Sequence, residues 1–236
     1  MHLYLNEFID RFIYYWGCWE PDESYLLQRL LRPGDSFVDV GANVGYFSLL
    51  AARLVGHEGR VFAFEACPPI FDRLKANLQI NKCDNVAIHN TACCDTAGVV
   101  TIRAVSTANP GASTLRALET TAGSWNVDAI ALDDVLPPHM HYRVVKIDVE
   151  GAEHRVLQGM TRILDERRVD AVMCEVTEGF LRQMGASARQ LIALLQEAGL
   201  TSYIVRHRSL ELVRGMSIGE GQANMLFVSP RADVAL

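Results

Sequence analysis

From Ser36 onward, short apolar runs and helix-period segments take turns along the chain, a rhythm that few folds accommodate. The runs are SFVDV, RVFAFE, NVAIHN, YRVVKID, VDAVMCEV and TSYIVR, and helix-like stretches over 45–54, 68–81, 152–164 and 187–198 lie between them. Strands that alternate with helices build parallel βαβ units, so the pattern predicts a doubly wound α/β sheet covered by helices on both faces. With 236 residues, 50% of them hydrophobic, the chain has apolar surface for one such domain over 1–236.

Three stretches depart from the rhythm. Residues 1–34 are helix-like and aromatic (Phe8, Phe12, Tyr14, Tyr15, Trp16, Trp19), broken at WGCWEPDE, where Gly17 and Pro21 punctuate and Asp22 is placed to cap the next helix. They read as a helical cover for the sheet. Over 98–131, GVVTIRAV and WNVDAIAL flank the polar STANPGASTLRALETTAG, a hairpin-like insertion with a loop of roughly twenty residues, long enough to suit a lid. Near the end, RSLELVRG and NMLFVSP follow without a helix between them, which predicts antiparallel closing strands.

Parallel sheets of this kind bind ligands beyond the carboxyl ends of their strands, and here the first strand turns into its helix through DVGANVG. Gly41 permits a tight turn and a close approach, Gly45 lets the helix lie near the strand, and the helix N-terminus offers unpaired N–H groups. A dinucleotide loop would carry G-x-G-x-x-G, but Ala42 and Asn43 stand where the middle glycine belongs, and Asp39 would repel a pyrophosphate. A ligand with an ammonium and a small carboxylate fits better. The second strand ends at Glu65, placed to accept hydrogen bonds from two ribose hydroxyls. A nucleoside carrying an amino acid meets both demands, which describes S-adenosylmethionine.

Over about residues 15–229 the chain resembles the FkbM family of S-adenosylmethionine-dependent methyltransferases. The matching stretches are WEPDES, FVDVGANVGYFSLLAA, VFAFEACPPIFDRLKANLQIN, ALDDVL and, most specific, VVKIDVEGAEHRVLQGM. The resemblance implies a class I methyltransferase (Rossmann-like) fold of seven strands in the order 3-2-1-4-5-7-6, the seventh antiparallel, and usually methyl transfer to oxygen. It also implies a cofactor loop of Asp39, Gly41, Ala42, Asn43, Val44 and Gly45, with Glu65 on the ribose, Ala66 beside the adenine, and Asn90, Thr91 and Ala92 along the adenine edge.

An alcohol is a weak nucleophile until its proton is removed, so oxygen methylation wants a base or a metal near the fourth strand's tip. That tip reads KIDVEGAEH. Asp148 ends the strand and is expected to touch cofactor or acceptor; Glu150 and His154 stand four residues apart, the spacing of one helix face, so a carboxylate could orient an imidazole base. An exposed pair near a helix N-terminus is the plainer alternative. Lys146 shares a side of the strand with Asp148 and is expected to pair with it or with Glu175, at the end of the fifth strand. Asp148 and Glu175 make a thin oxygen site for magnesium, and no metal is expected. His139 and His141 precede the fourth strand and so belong to the opposite end of the sheet.

The expected activity is therefore O-methylation of a small hydroxylated metabolite, such as a sugar or a natural-product intermediate. Alternatives are a nitrogen or nucleic-acid methyltransferase and a cofactor-binding module without catalysis. A net charge of −6 argues against a nucleic-acid partner, and DVEG stands where amine-directed base methylases carry a proline-rich motif. Six scattered cysteines without C-x-x-C suit reduced thiols in a cytoplasm. No stretch approaches the roughly 18 apolar residues of a membrane span, and no export leader is indicated.

Overall fold

The computed structural model describes residues 1–106, 109–116, 123–213 and 221–232, with the side chains of 105, 106 and 109–113 outside that description. Helices α1 (Phe8–Trp16) and α2 (Pro21–Leu30) precede β1 (Ser36–Val40), α3 (Tyr46–Val55), β2 (Arg60–Phe64), α4 (Pro68–Ile80) and β3 (Val86–His89). The insertion follows, with β4 (Ala92–Cys93), β5 (Gly98–Ser106), β6 (Asn109–Thr114) and β7 (Gly123–Ile130). The wound sheet then resumes through α5 (Leu132–Val135), β8 (Tyr142–Ile147), α6 (Glu153–Gln158), α7 (Thr161–Asp165) and β9 (Val169–Thr177). It closes with α8 (Glu178–Gln183), α9 (Ala188–Glu197), β10 (Thr201–Arg206), β11 (Ser209–Leu212) and β12 (Gln222–Val228).

The main sheet runs β3-β2-β1-β8-β9-β12-β10-β11. Its first seven strands reproduce the expected order, with β12 antiparallel to both β9 and β10. The count differs: β11 folds back on β10 as an eighth, edge strand, through a turn in which His207 and Arg208 adopt positive φ. Every residue of β1 is buried, as a central strand covered on both faces requires. Leu27, Leu30, Phe47 and Val55 cover one face; Leu157, Met160, Ile163, Leu191 and Ile192 cover the other.

Local chemistry moves three boundaries. The helix expected over 152–164 is two pieces, because Gly159 lies against the chain just past β4: a Cβ there would sit 2.0 Å from the Cys94 carbonyl oxygen. The second piece starts where the Asp133 carboxylate accepts the Arg162 and Ile163 N–H groups at 2.7 and 3.0 Å, taking up donors that a helix start leaves unpaired. Asp22 does not cap α2. Pro21 already opens that helix, and the Asp22 carboxylate accepts the backbone N–H groups of His207 and Arg208 instead. NPGAST, expected within a loop, is strand β6, paired antiparallel to β5.

The helical cover is tied to the sheet by charge. Asp10, with none of its surface exposed, and Glu7 both pair with Arg73 on α4, and the Tyr4 N–H donates to Asp10 at 2.6 Å. Among the described residues no helix is long and apolar enough to cross a membrane.

Gly159 has helical-side dihedrals that alanine also adopts, so Gly159→Ala tests the close approach alone. Overpacking there is expected to cost about 2 kcal/mol and lower Tm by ~5 °C, measured by thermal unfolding; an unchanged Tm would contradict the contact.

Candidate active site

The turn after β1 is set by two backbone approaches. A Cβ on Gly41 would lie 1.9 Å from the Asp148 carbonyl oxygen, so the tips of β1 and β8 meet only because residue 41 has no side chain. Its φ of +82 independently favours glycine. The N–H groups of Gly41 and Ala42 both donate to the Phe64 carbonyl, at 3.0 and 2.9 Å, tying the loop to the end of β2. At Gly45 a Cβ would run into Leu74 of α4 at 2.6 Å.

Glu65 completes the loop. Its Oε2 accepts the Asn43 N–H at 2.9 Å and its Oε1 accepts the Cys67 N–H at 2.8 Å, which leaves each oxygen a further lone pair. Burial pushes its carboxyl up to about 7, outweighing the two amide bonds that favour the ion. Asn90 braces the same corner, its Nδ2 donating to the Glu65 and Ala66 carbonyls at 2.8 and 3.1 Å. The Thr91 hydroxyl is buried with no hydrogen-bond partner among the described residues, an unmet polar group in the cavity wall.

These groups line a cavity of about 200 Å³ that runs from Glu65, Ala66, Thr91 and Ala92, past Gly41 to Val44, to the tips of β8 and β9. At that far end Lys146, 6% exposed, donates to Asp148 at 2.7 Å, lies 4.0 Å from Glu20 and sits 4.6 Å from the Phe47 ring centre. Burial would lower the Lys146 pKa, but Asp148, Glu20 and Asp39 more than offset it and hold the ammonium charged. Glu20 and Glu175 are pushed well above the carboxylate range. Burial is the largest cause for both; Lys146 opposes it at Glu20, and the negative Asp148, Glu150 and Glu20 reinforce it at Glu175. Glu20, Asp148 and Glu175 each offer an oxygen within 4.8 Å of the others, the ligand type that hard divalent ions take. Lys146 already supplies positive charge to that cluster.

The expected residues divide on this geometry. Gly41, Ala42, Asn43, Val44, Glu65, Ala66, Thr91, Ala92, Asp148 and Glu150 line the cavity. Asp39 and Gly45 do not: Asp39 is 1% exposed behind the wall, its Oδ2 accepting from Ser48 at 2.6 Å and its Oδ1 unpaired. His154 is also outside the lining, and the helix-face pairing with Glu150 fails. Glu150 (φ +55) and Gly151 (φ +107) form a left-handed turn and α6 begins only at Glu153, so the two residues are not one helical turn apart. Lys146 pairs with Asp148 as expected. His141, at the other end of the strand, pairs with Asp170 at 2.9 Å. Of the insertion, Ile102, Thr114 and Leu115 reach the cavity; 107–108 and 117–122 of the expected lid lie outside the described residues.

Two residues that shape the cavity escaped sequence reasoning. Glu20, in the WGCWEP break, has φ +43 and stands at the N-cap of α2 without capping it; its side chain lines the cavity instead. A carboxylate ahead of Pro21 read as punctuation. Glu153 was legible only as part of a motif, yet its Oε1 accepts the Val149 and Gly151 N–H groups at 3.2 and 2.9 Å and holds the turn that carries Glu150.

Residues 39–200 match the methyltransferase FkbM domain. The chain belongs to the FkbM methyltransferase family. FkbM relatives include the hexuronic acid methyltransferase AglP of Haloferax volcanii, 29% identical over 189 residues, covering 79% of this chain and 72% of the relative. The 31-O-demethyl-FK506 methyltransferase FkbM of Streptomyces tacrolimicus is 30% identical over 212 residues, covering 76% of this chain and 78% of the relative. The crystal structure of methyltransferase FkbM from Methylobacillus flagellatus shares the fold with a TM-score of 0.57 at 17% identity; it covers 93% of this chain, which spans 52% of that one. The chain is thus a class I methyltransferase that takes S-adenosylmethionine as methyl donor. The residues fit such a ligand: the free lone pairs of Glu65 and the unpartnered Thr91 hydroxyl await polar partners.

Replacing Glu65 with Gln removes the charge and one acceptor. Glu65→Gln is expected to weaken S-adenosylhomocysteine binding about tenfold or more by calorimetry. Unchanged affinity would remove Glu65 from the cofactor site.

Proposed function

We propose that this FkbM methyltransferase methylates a hydroxyl of a small, uncharged or cationic molecule. The carrying observation is that, among the described residues, five carboxyl side chains (Glu20, Glu65, Asp148, Glu150 and Glu175) line the cavity against one cation, Lys146. S-adenosylmethionine supplies an electrophilic methyl group on a sulfonium. The protein's own task is to orient the acceptor oxygen and take its proton, and a buried carboxyl with raised proton affinity serves that task once it has ionised. Glu20 and Glu175 fit the role of proton acceptor best: both are half-buried in the wall, and Asp148 is committed to Lys146. The proton would leave the hydroxyl for a carboxylate oxygen there and pass on to water.

The same charge supports a view of the acceptor. Relatives act on hexuronic acid and on a demethylated FK506. Once the lining carboxyls ionise, a carboxylate or phosphate brought among them would be repelled, which favours a neutral polyol or an amino alcohol and disfavours a nucleic-acid backbone. The six free cysteines, four of them buried, support a reducing compartment such as the cytoplasm.

Labelled S-adenosylmethionine incubated with panels of neutral, cationic and anionic alcohols tests the reading, with methyl transfer expected to the first two. Glu20→Gln and Glu175→Gln are each expected to lower kcat about 10²-fold, with S-adenosylhomocysteine affinity retained. For the intact protein kcat should rise with pH as these carboxyls ionise. Preference for anionic acceptors, or full activity of both variants, would contradict it.

A further inference from the structure

Arg116 is a buried cation in an unexpected place. It lies just past β6, at the edge of the small sheet β4-β7-β5-β6, and is only 6% exposed. Its Nε donates to the Thr114 hydroxyl at 3.1 Å and to the Glu150 carbonyl at 3.0 Å, and its Nη1 donates to Gln183 Oε1 at 3.0 Å. The guanidinium carbon stands 3.6 Å from the Phe180 ring centre. Thr114 joins the same knot, its hydroxyl donating to the Glu150 carbonyl at 2.9 Å and accepting the Arg116 N–H at 3.1 Å. One side chain therefore fastens three distant segments: the end of β6, the turn after β8, and α8.

Among the described residues its hydrogen-bond acceptors are all neutral. Taking a guanidinium out of water without a carboxylate in direct contact is costly, so simple stability is a poor reason for its burial. Its planar fork, though, can hold several acceptors in one fixed geometry and stack on a ring, which no other side chain does. The rest of the small sheet is held separately, by Ile102, Val127 and Ala129 packed on Val44, Ile70 and Cys94. Leu115 also lies against that packing, and the knot adds a polar tie that sets how Thr114, which lines the cavity, meets Glu150 across it. Phe180 closes the arrangement from below, where a Cβ on Gly151 would already touch it at 3.0 Å.

We propose that Arg116 is a positioning residue that seats the end of β6 against the Glu150–Gly151 turn, forming the acceptor-side wall of the cavity and leaving the cofactor side untouched. This rests on the acceptor lying at the β8 and β9 tips, as in the function proposed above. The cofactor side depends on the glycine loop, Glu65 and Thr91, and Arg116 hydrogen-bonds to none of them.

The test uses the full chain with Arg116→Ala, Arg116→Lys and Thr114→Val. S-adenosylhomocysteine binding is measured by calorimetry, hydrogen exchange is followed over 98–116 and 149–153 with S-adenosylhomocysteine bound, and labelled methyl transfer is measured into a small-molecule metabolite extract. For Arg116→Ala the expected result is unchanged S-adenosylhomocysteine affinity, faster exchange at 114–116 and 149–151, and methyl transfer lower by about 10²-fold. Arg116→Lys should restore neither, because an ammonium keeps the charge but not the fork; restoration by lysine would show that charge alone matters and overturn the proposal. Wild-type methyl transfer in Arg116→Ala, or loss of S-adenosylhomocysteine binding along with it, would overturn it too. If Arg116→Ala does not fold, Thr114→Val, which removes only a hydroxyl from the knot, is read by the same three measurements. Should the intact protein bind S-adenosylhomocysteine but methylate nothing, the proposed function fails, and the exchange pattern still decides whether the knot holds the wall.

Discussion

The carbonyl oxygen of Asp148 occupies the space where a side chain on residue 41 would begin. Much of the site follows from that contact. It draws the tip of β8 against the tip of β1, so that the loop from Gly41 to Val44 and the Asp148 to Glu150 turn become two walls of one cavity. Any side chain at position 41 would force the strand tips apart. The turn beyond Asp148 is then bent by positive φ at Glu150 and Gly151 and held by Glu153 from within, which aims Glu150 along the wall. Geometry is imposed by backbone approach and buried hydrogen bonds, before any ligand arrives.

Charge divides the cavity into two ends. Around Glu65 the carboxylate is hydrogen-bonded to backbone and spares lone pairs, while the nearby Thr91 hydroxyl is unpartnered among the described residues. Around Lys146 the carboxyls outnumber the cation, and proximity in a dry wall keeps some of them protonated near neutral pH. A donor that arrives positively charged is compatible with such a wall. Arg116 lies at the border, close enough to favour the Glu150 ion and buried enough to brace the turn.

What the sequence made legible was periodic or motif-bound. Alternating apolar runs and helical stretches gave the wound sheet, and the FkbM-like motifs carried the order of its first seven strands. DVGANVG and Glu65 announced a cofactor crevice because a strand end, a glycine turn and a distant carboxylate can be read by spacing. What stayed hidden depended on approach in three dimensions. β6 was missed because Pro110 and Gly111 signal a loop; its pairing with β5 overrides them. Glu20 was missed because its residue type beside Pro21 suits a helix start, and only the fold turns its side chain inward. The Glu150 and His154 pairing assumed a helix from the strand end, and the left-handed turn at Gly151 removes it. Asp39 was expected in the cofactor loop; its carboxylate accepts from Ser48 and lies outside the cavity lining.

The central claim is that this cavity deprotonates and methylates a hydroxyl. The most direct measurement is carbon NMR of the product formed with carbon-13 methyl-labelled S-adenosylmethionine. The account predicts that the transferred carbon is bonded to oxygen, in a product without added negative charge. A methyl carbon bonded to nitrogen or to carbon would contradict it.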